Sequence, residues 1–146
     1  MELELLTVRQ STYHLYNKMF EKILKEFNIT QLEADILLFL DDNKKCDTAS
    51  SIISARHLSK SHVSSSVESL VCHGFITRNK DENNQKVVHL KLTEKAKPII
   101  VAGHKVQKEF NKKIFDGISE KDAKILTATL DKINKNATNE YKKYSK

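Results

Sequence analysis

The chain has 146 residues, a net charge of +6, and only three glycines and one proline. A domain of this length can bury about 70% of its unfolded surface around one core, and scarce Gly and Pro beside common Leu, Ile, Lys and Glu disfavour an all-β fold and favour long helices. The two cysteines are too few for a disulfide framework or a zinc ribbon and are expected to be reduced thiols that pack or stay inert. The N-terminal MELELLTVRQ lacks the basic-then-apolar order of a signal peptide, and no apolar run approaches the roughly 18 residues of a membrane span, so a cytoplasmic protein without a membrane partner is expected.

From about residue 3 to 28, Tyr13, Tyr16, Phe20, Ile23, Leu24 and Phe27 recur every three or four positions, which predicts a long helix with one buried stripe. Thr30 followed by Glu33 is a capping-box pattern opening a second helix over Gln31–Asp42, with Leu32, Ile36, Leu37, Phe39 and Leu40 as its core. Asp47 or Thr48 can cap a short helix to about Ala55, and Ser59 can cap the next, from Lys60 to His73, which Gly74 stops. Two such helices joined by a tight turn at Arg56-His57-Leu58 make a helix-turn-helix.

The period then changes. Ile76–Lys80 reads as a strand, Asp81 to Gln85 as a hairpin tip, and Val88, Leu90 and Leu92 alternate with Val87, His89 and Lys91 in a returning strand. Thr93 is expected to cap a long helix carrying Ile99, Ile100, Val106, Phe110 and Ile114, with Pro98 near its start and Gly117 as its breaker. Ser119 opens a last helix whose Leu126, Leu130, Ile133, Ala137, Tyr141 and Tyr144 are spaced close to a coiled-coil seam. The fold class expected is therefore mostly α, a winged helix-turn-helix at about 30–92 flanked by long helices at about 3–28 and 93–144, in a single domain over 1–146.

The helix after Ser59 carries an unusual outer face. With Val63 at the origin of a helical wheel, Val67, Leu70 and Val71 fall between about −20° and 80°, whereas Ser61, Ser65 and Ser69 fall between about 160° and 240°. A solvated helix usually carries Lys, Glu or Gln there, because serine is a poorer helix former. Short hydroxyls permit close approach and hydrogen-bond to phosphates or to either kind of base, so this face suits duplex DNA.

Ile29-Thr30-Gln31-Leu32, Ser59-x-x-His62-Val63-Ser64, Leu70 through Gly74-Phe75-Ile76-x-Arg78, and Asp81-Glu82 followed by Leu90-Lys91-Leu92-Thr93-Glu94-Lys95 together resemble the MarR family of winged-helix transcriptional regulators. The resemblance covers nearly the whole chain and implies a homodimer, built from the terminal helices, that binds a pseudo-palindromic double-stranded DNA operator, commonly as a repressor. It implies recognition-helix contacts from Lys60, Ser61, His62, Ser64, Ser65 and Ser69, with Arg56 just before them. Arg78 and the wing residues Asn83, Asn84, Gln85 and Lys86 complete the expected DNA face. Where the family usually carries Arg, this chain has Ser65 and Asn83, and Glu68 lies toward the groove, where it repels phosphate unless it accepts a bond from cytosine or pairs with a base-contacting cation.

The resemblance also implies a small-molecule effector pocket, for which Tyr13, Tyr16, Phe20 and Phe39 are candidate lining; all four also suit the core. The six histidines show no spacing on one helix that builds a metal site, so no metal or cofactor is expected, and His104 reads as a dimer or pocket residue. Without a phosphate loop, nucleophile elbow or paired carboxylates, the chain does not read as an enzyme. The alternative is an adaptor that keeps the winged-helix fold but binds another protein.

Overall fold

The computed structural model describes residues 2–145, with side chains from residue 4, so the domain ends at residues 1 and 146 and the side chains of Glu2 and Leu3 lie outside the described residues. The chain forms two compact units, residues 1–110 and 111–146. In the first, α1 (Glu2–Phe27) is followed by α2 (Gln31–Asp42), α3 (Ala49–Arg56), α4 (Lys60–Cys72), β1 (Ile76–Lys80), β2 (Val88–Leu92), a 3-10 turn at Glu94–Ala96 and most of α5 (Lys97–Ile114), whose last four residues fall in the second unit. The second unit holds α6, Glu120–Tyr144.

Local chemistry sets most of these boundaries. Thr30 Oγ1 accepts the Glu33 N–H while the Glu33 carboxylate accepts the Thr30 N–H at 2.7 Å, so the capping box is complete. Of the two caps expected for α3, Thr48 takes the position and accepts from the Ser51 N–H. His57 closes α3 in the left-handed region at φ 51°, making the tight turn, and Ser59 caps α4. Gly74, at φ 75°, takes a backbone conformation that a Cβ disfavours and turns the chain into β1.

Thr93 behaves differently from its expected role as a cap. Its hydroxyl donates to the Gly74 carbonyl at 2.6 Å, stitching the end of β2 to the α4–β1 turn, and makes no cap bond to the short 3-10 turn that precedes α5. β1 and β2 pair antiparallel in the register Arg78 opposite Leu90 and Lys80 opposite Val88. The first unit's core brings Phe20 and Ile23 of α1, Ala34 and Ile36–Leu40 of α2, Ile52 of α3, and Val63, Val67 and Leu70 of α4 together with Ile76, Leu90 and Ile99. Burial of such aliphatic and aromatic side chains, each worth about 1.5–3 kcal/mol, fixes α4 on its apolar face and leaves its serines outward.

α6 begins at Ser119, whose Oγ accepts the Asp122 N–H. It carries no buried residue among those described, and its stripe of Leu126, Leu130 and Ile133 remains 40–42% exposed. Tyr141 and Tyr144 are more exposed still.

Candidate nucleic-acid interface

On α4, Val63, Val67 and Leu70 point into the core, and Lys60, Ser61, His62, Ser64 and Ser65 are exposed as a continuous surface over the first two turns. Arg56, at the end of α3, is exposed beside it. Ser69, one turn further, is half-buried and its hydroxyl lies 3.4 Å from His73 Nδ1, so it is less free than the serines before it. This placement puts hydroxyls, an imidazole and two cations on one face, the mixture that suits phosphates and base edges together.

Arg78 projects from β1 and is not a free cation. Its Nη2 donates to Glu68 Oε2 at 2.7 Å, and this guanidinium holds the Glu68 carboxyl below the usual carboxylate range. Glu68 is thereby paired with a cation of β1. Lys80 and Lys86 are exposed.

The wing tip is organised by one carboxylate. Asp81 Oδ1 accepts the N–H groups of Asn83 and Asn84 at 2.8 and 2.9 Å, and Asn84 Oδ1 accepts the Lys86 N–H at 3.1 Å. Asn83, Asn84, Gln85 and Lys86 are thereby displayed outward on a turn of fixed shape. Asp81 Oδ2 meets His89 Nε2 at 2.9 Å, and the same ring meets Asp47 through Nδ1 at 2.8 Å. Sequence reasoning missed His89 and noticed Asp47 only as a capping choice, since their separation of 42 positions leaves no local signal.

A cleft of about 400 Å³ opens within the first unit, lined among others by Arg9 and Tyr13 of α1, Asp35 and Phe39 of α2, Arg56 of α3 and His62 of α4. Two of the four residues expected in a pocket, Tyr13 and Phe39, line it. Phe20 does not, because it is fully buried in the core. Tyr16 stands behind the wall: its hydroxyl donates to Asp35 Oδ1 at 3.4 Å and accepts from Gln107 Nε2 at 3.1 Å, while its ring meets Phe110 edge-on. Burial raises the Tyr16 pKa to about 12, and burial also raises that of Asp35. Arg9 and Asp35 were not singled out from sequence; their side chains join the cleft only when α1 crosses α2.

His104 sits outside this cleft lining. Its Nε2 lies 3.0 Å from Asp41 Oδ2 and 3.6 Å from Asp42 Oδ1, and Nδ1 lies 3.1 Å from Gln107 Oε1. The bond to Asp41 is the chief cause raising the His104 pKa. The three side chains are also the one group among the described residues with ligand atoms close enough for a metal ion, and helix-by-helix spacing could not reveal it because Asp41 and His104 are 63 positions apart. Cys46 and Cys72 are both exposed, so neither packs into the core.

The helix-turn-helix of α3 and α4 followed by the β1–β2 hairpin is a winged-helix fold of the kind seen in MarR-type transcriptional regulators. The family model for transcriptional regulator SarA/Rot matches residues 18–102, more than half of the chain, and the chain belongs to that family. Solved structures agree on the fold. A MarR protein from Peptoclostridium difficile superposes with a TM-score of 0.83 at 16% identity, covering 95% of this chain and 90% of that one. A MarR family regulator from Listeria monocytogenes in complex with a 26mer DNA gives 0.83 at 18% identity over 96% and 90%. MepR of S. aureus, in a DNA complex, gives 0.77 at 20% identity over 90% and 94%. No described helix is long and apolar enough to cross a membrane.

Proposed function

We infer that the protein is a homodimeric repressor that binds a pseudo-palindromic operator and is released by a small-molecule effector. The observation that carries the DNA contact is the exposed face of α4, with Ser61, His62, Ser64 and Ser65 framed by Arg56, Lys60 and the wing residues Asn83–Lys86. Ser69 and Arg78 stand at its edge, the first half-buried and the second paired with Glu68. Support for a second copy comes from the uncovered stripe of α6 and from Leu5, Leu6, Val8 and Leu15 of α1, all exposed. The cleft supports the effector: Tyr13 and Phe39 offer aromatic faces, while Arg9, Asp35 and Arg56 supply convergent polar groups.

One observation favours an adaptor that binds another protein instead, because the Glu68–Arg78 pair withdraws a cation from the proposed DNA face. Selection of bound sequences from random duplex DNA separates the readings. An enriched inverted repeat, bound with a log–log salt slope of about −5 to −9 for three to five cations per subunit, is expected. No enrichment and a slope near zero would favour the adaptor.

A further inference from the structure

The wing of a two-stranded hairpin is held to the rest of its domain by little besides its own base, and here the attachment has an unusual chemistry. His89, on β2, is clasped on both ring nitrogens by carboxylates: Nδ1 by Asp47 at 2.8 Å and Nε2 by Asp81 at 2.9 Å. Each partner has a second task. Asp81 uses its other oxygen to shape the turn carrying Asn83 and Asn84, and the Asp47 carbonyl accepts the Leu90 N–H at 2.7 Å immediately before the Thr48 cap of α3. The ring is thus the middle link of a chain running from the wing tip to the start of the helix-turn-helix.

A neutral imidazole has one N–H and one lone pair, so it satisfies only one of two flanking carboxylates and sets a lone pair against the other. An imidazolium donates to both. We propose that Asp47, His89 and Asp81 form a positioning clamp in which the charged His89 ring fixes the wing tip against the helix-turn-helix, so that DNA affinity depends on the proton it holds. This rests on the DNA-binding reading of α4 and the wing.

The bond to Asp47, then that to Asp81, raises the His89 pKa, and the bond to His89 is in turn the chief cause holding Asp81 below the usual carboxylate range. Among the described residues these two are the charged groups that face the ring. Asn79, opposite it on β1, is uncharged, and α2, which packs on β2, adds no charged group to its titration. Because the folded pKa is raised, the clamp is fully closed below the ordinary histidine value of about 6.5 and opens as pH rises through the folded value. Loss of the clamp frees the wing turn without touching the core that holds α4.

A second histidine, exposed His62, stands on the proposed DNA face, so the native pH profile alone does not isolate His89. The test compares the native protein with His89→Gln and Asp47→Asn. Each is titrated against a fluorescein-labelled A·T-rich duplex of about 30 base pairs between about pH 5.5 and 8.5, while NMR follows the His89 ring without DNA. The native protein is expected to lose about fivefold more affinity than His89→Gln across this range, and the two should converge at high pH. Asp47→Asn should lower the His89 pKa and carry the midpoint of the affinity curve down with it. The proposal is overturned if the NMR ring titration shows a neutral His89 at about pH 6, if His89→Gln follows the native curve, or if affinity falls equally at every pH. Failure of the native protein to bind any duplex at low salt overturns the DNA-binding reading and the clamp together, whereas native binding with a flat His89→Gln difference overturns the clamp alone.

Discussion

Glu68 and Arg78 offer the sharpest test of how the proposed interface handles charge. Their ion pair, at 2.7 Å with side chains 59% and 42% exposed, lies where β1 passes α4, and on the proposed DNA face it converts a potential phosphate contact into an internal one. Glu68→Gln keeps the side-chain shape while removing the negative charge, which both releases Arg78 and abolishes repulsion of the backbone. Each newly neutralised phosphate steepens the log–log salt slope by about 0.9, so between about 1 M and 0.1 M salt one contact is worth roughly eightfold in affinity. Two contacts, one from each subunit of the proposed dimer, give roughly sixtyfold and a slope steeper by about 1.8. Fluorescence anisotropy of a selected operator duplex across that salt range measures both quantities. The thermal midpoint should barely move, because an exposed pair contributes little to folding. An unchanged slope would refute the placement of Arg78 beside DNA. A fall in affinity would instead show that Glu68 itself accepts a bond from cytosine in the groove.

Ser65→Glu should weaken operator binding by about tenfold or more, since it sets bulk and negative charge on a face built of short hydroxyls, and circular dichroism should show an intact fold because Ser65 is exposed; normal binding would sink the assignment of α4. Gly103→Ala tests the seam between α5 and α2, where an added Cβ meets Leu38 Cδ2 at 2.9 Å, Cδ1 at 3.1 Å and Cγ at 3.4 Å. Helix propensity favours alanine by about 1 kcal/mol, but overpacking against the buried Leu38 costs about 1–3 kcal/mol. A net loss of about 1 kcal/mol, read as a melting midpoint lower by about 3 °C, is expected, and a higher midpoint would mean that Leu38 repacks freely.

Sequence reasoning succeeded where the governing interactions are local. The Thr30–Glu33 box, the Ser59 and Ser119 caps and the Gly74 turn each join groups a few positions apart, and the spacing of Val63, Val67 and Leu70 specifies which face of α4 is buried. It failed where a side chain finds a partner across the fold. Thr93 looked like a helix cap because a threonine precedes an acidic residue and a lysine, yet its hydroxyl is taken by the Gly74 carbonyl, 19 positions back. His89 looked like one member of an alternating strand, and His104 like a dimer or pocket residue, with no carboxylate partner foreseen for either. Each is paired with carboxylates whose approach depends on where the hairpin folds back or how α5 crosses α2.

The separation of DNA-contacting and pocket residues was a consequence of the same limit. Read along the chain, Arg56 and His62 belong with the recognition helix, and Tyr13 and Phe39 belong with helices far upstream. In the fold all four line one cleft, together with Arg9 and Asp35. Arg56 is the pivotal residue because its positive charge acts on Asp35 inside the cleft while its side chain remains exposed at the end of α3. An anionic occupant would compete with Asp35 for that guanidinium, and any occupant that turned Arg56 or His62 inward would take a cation from the end of α3 or a hydrogen-bond donor from the first turn of α4. A ligand shifts an equilibrium only by its differential affinity for two states. Here the difference arises from side chains shared between the proposed effector site and the proposed DNA face, so coupling between the two requires no motion of the helices that carry them.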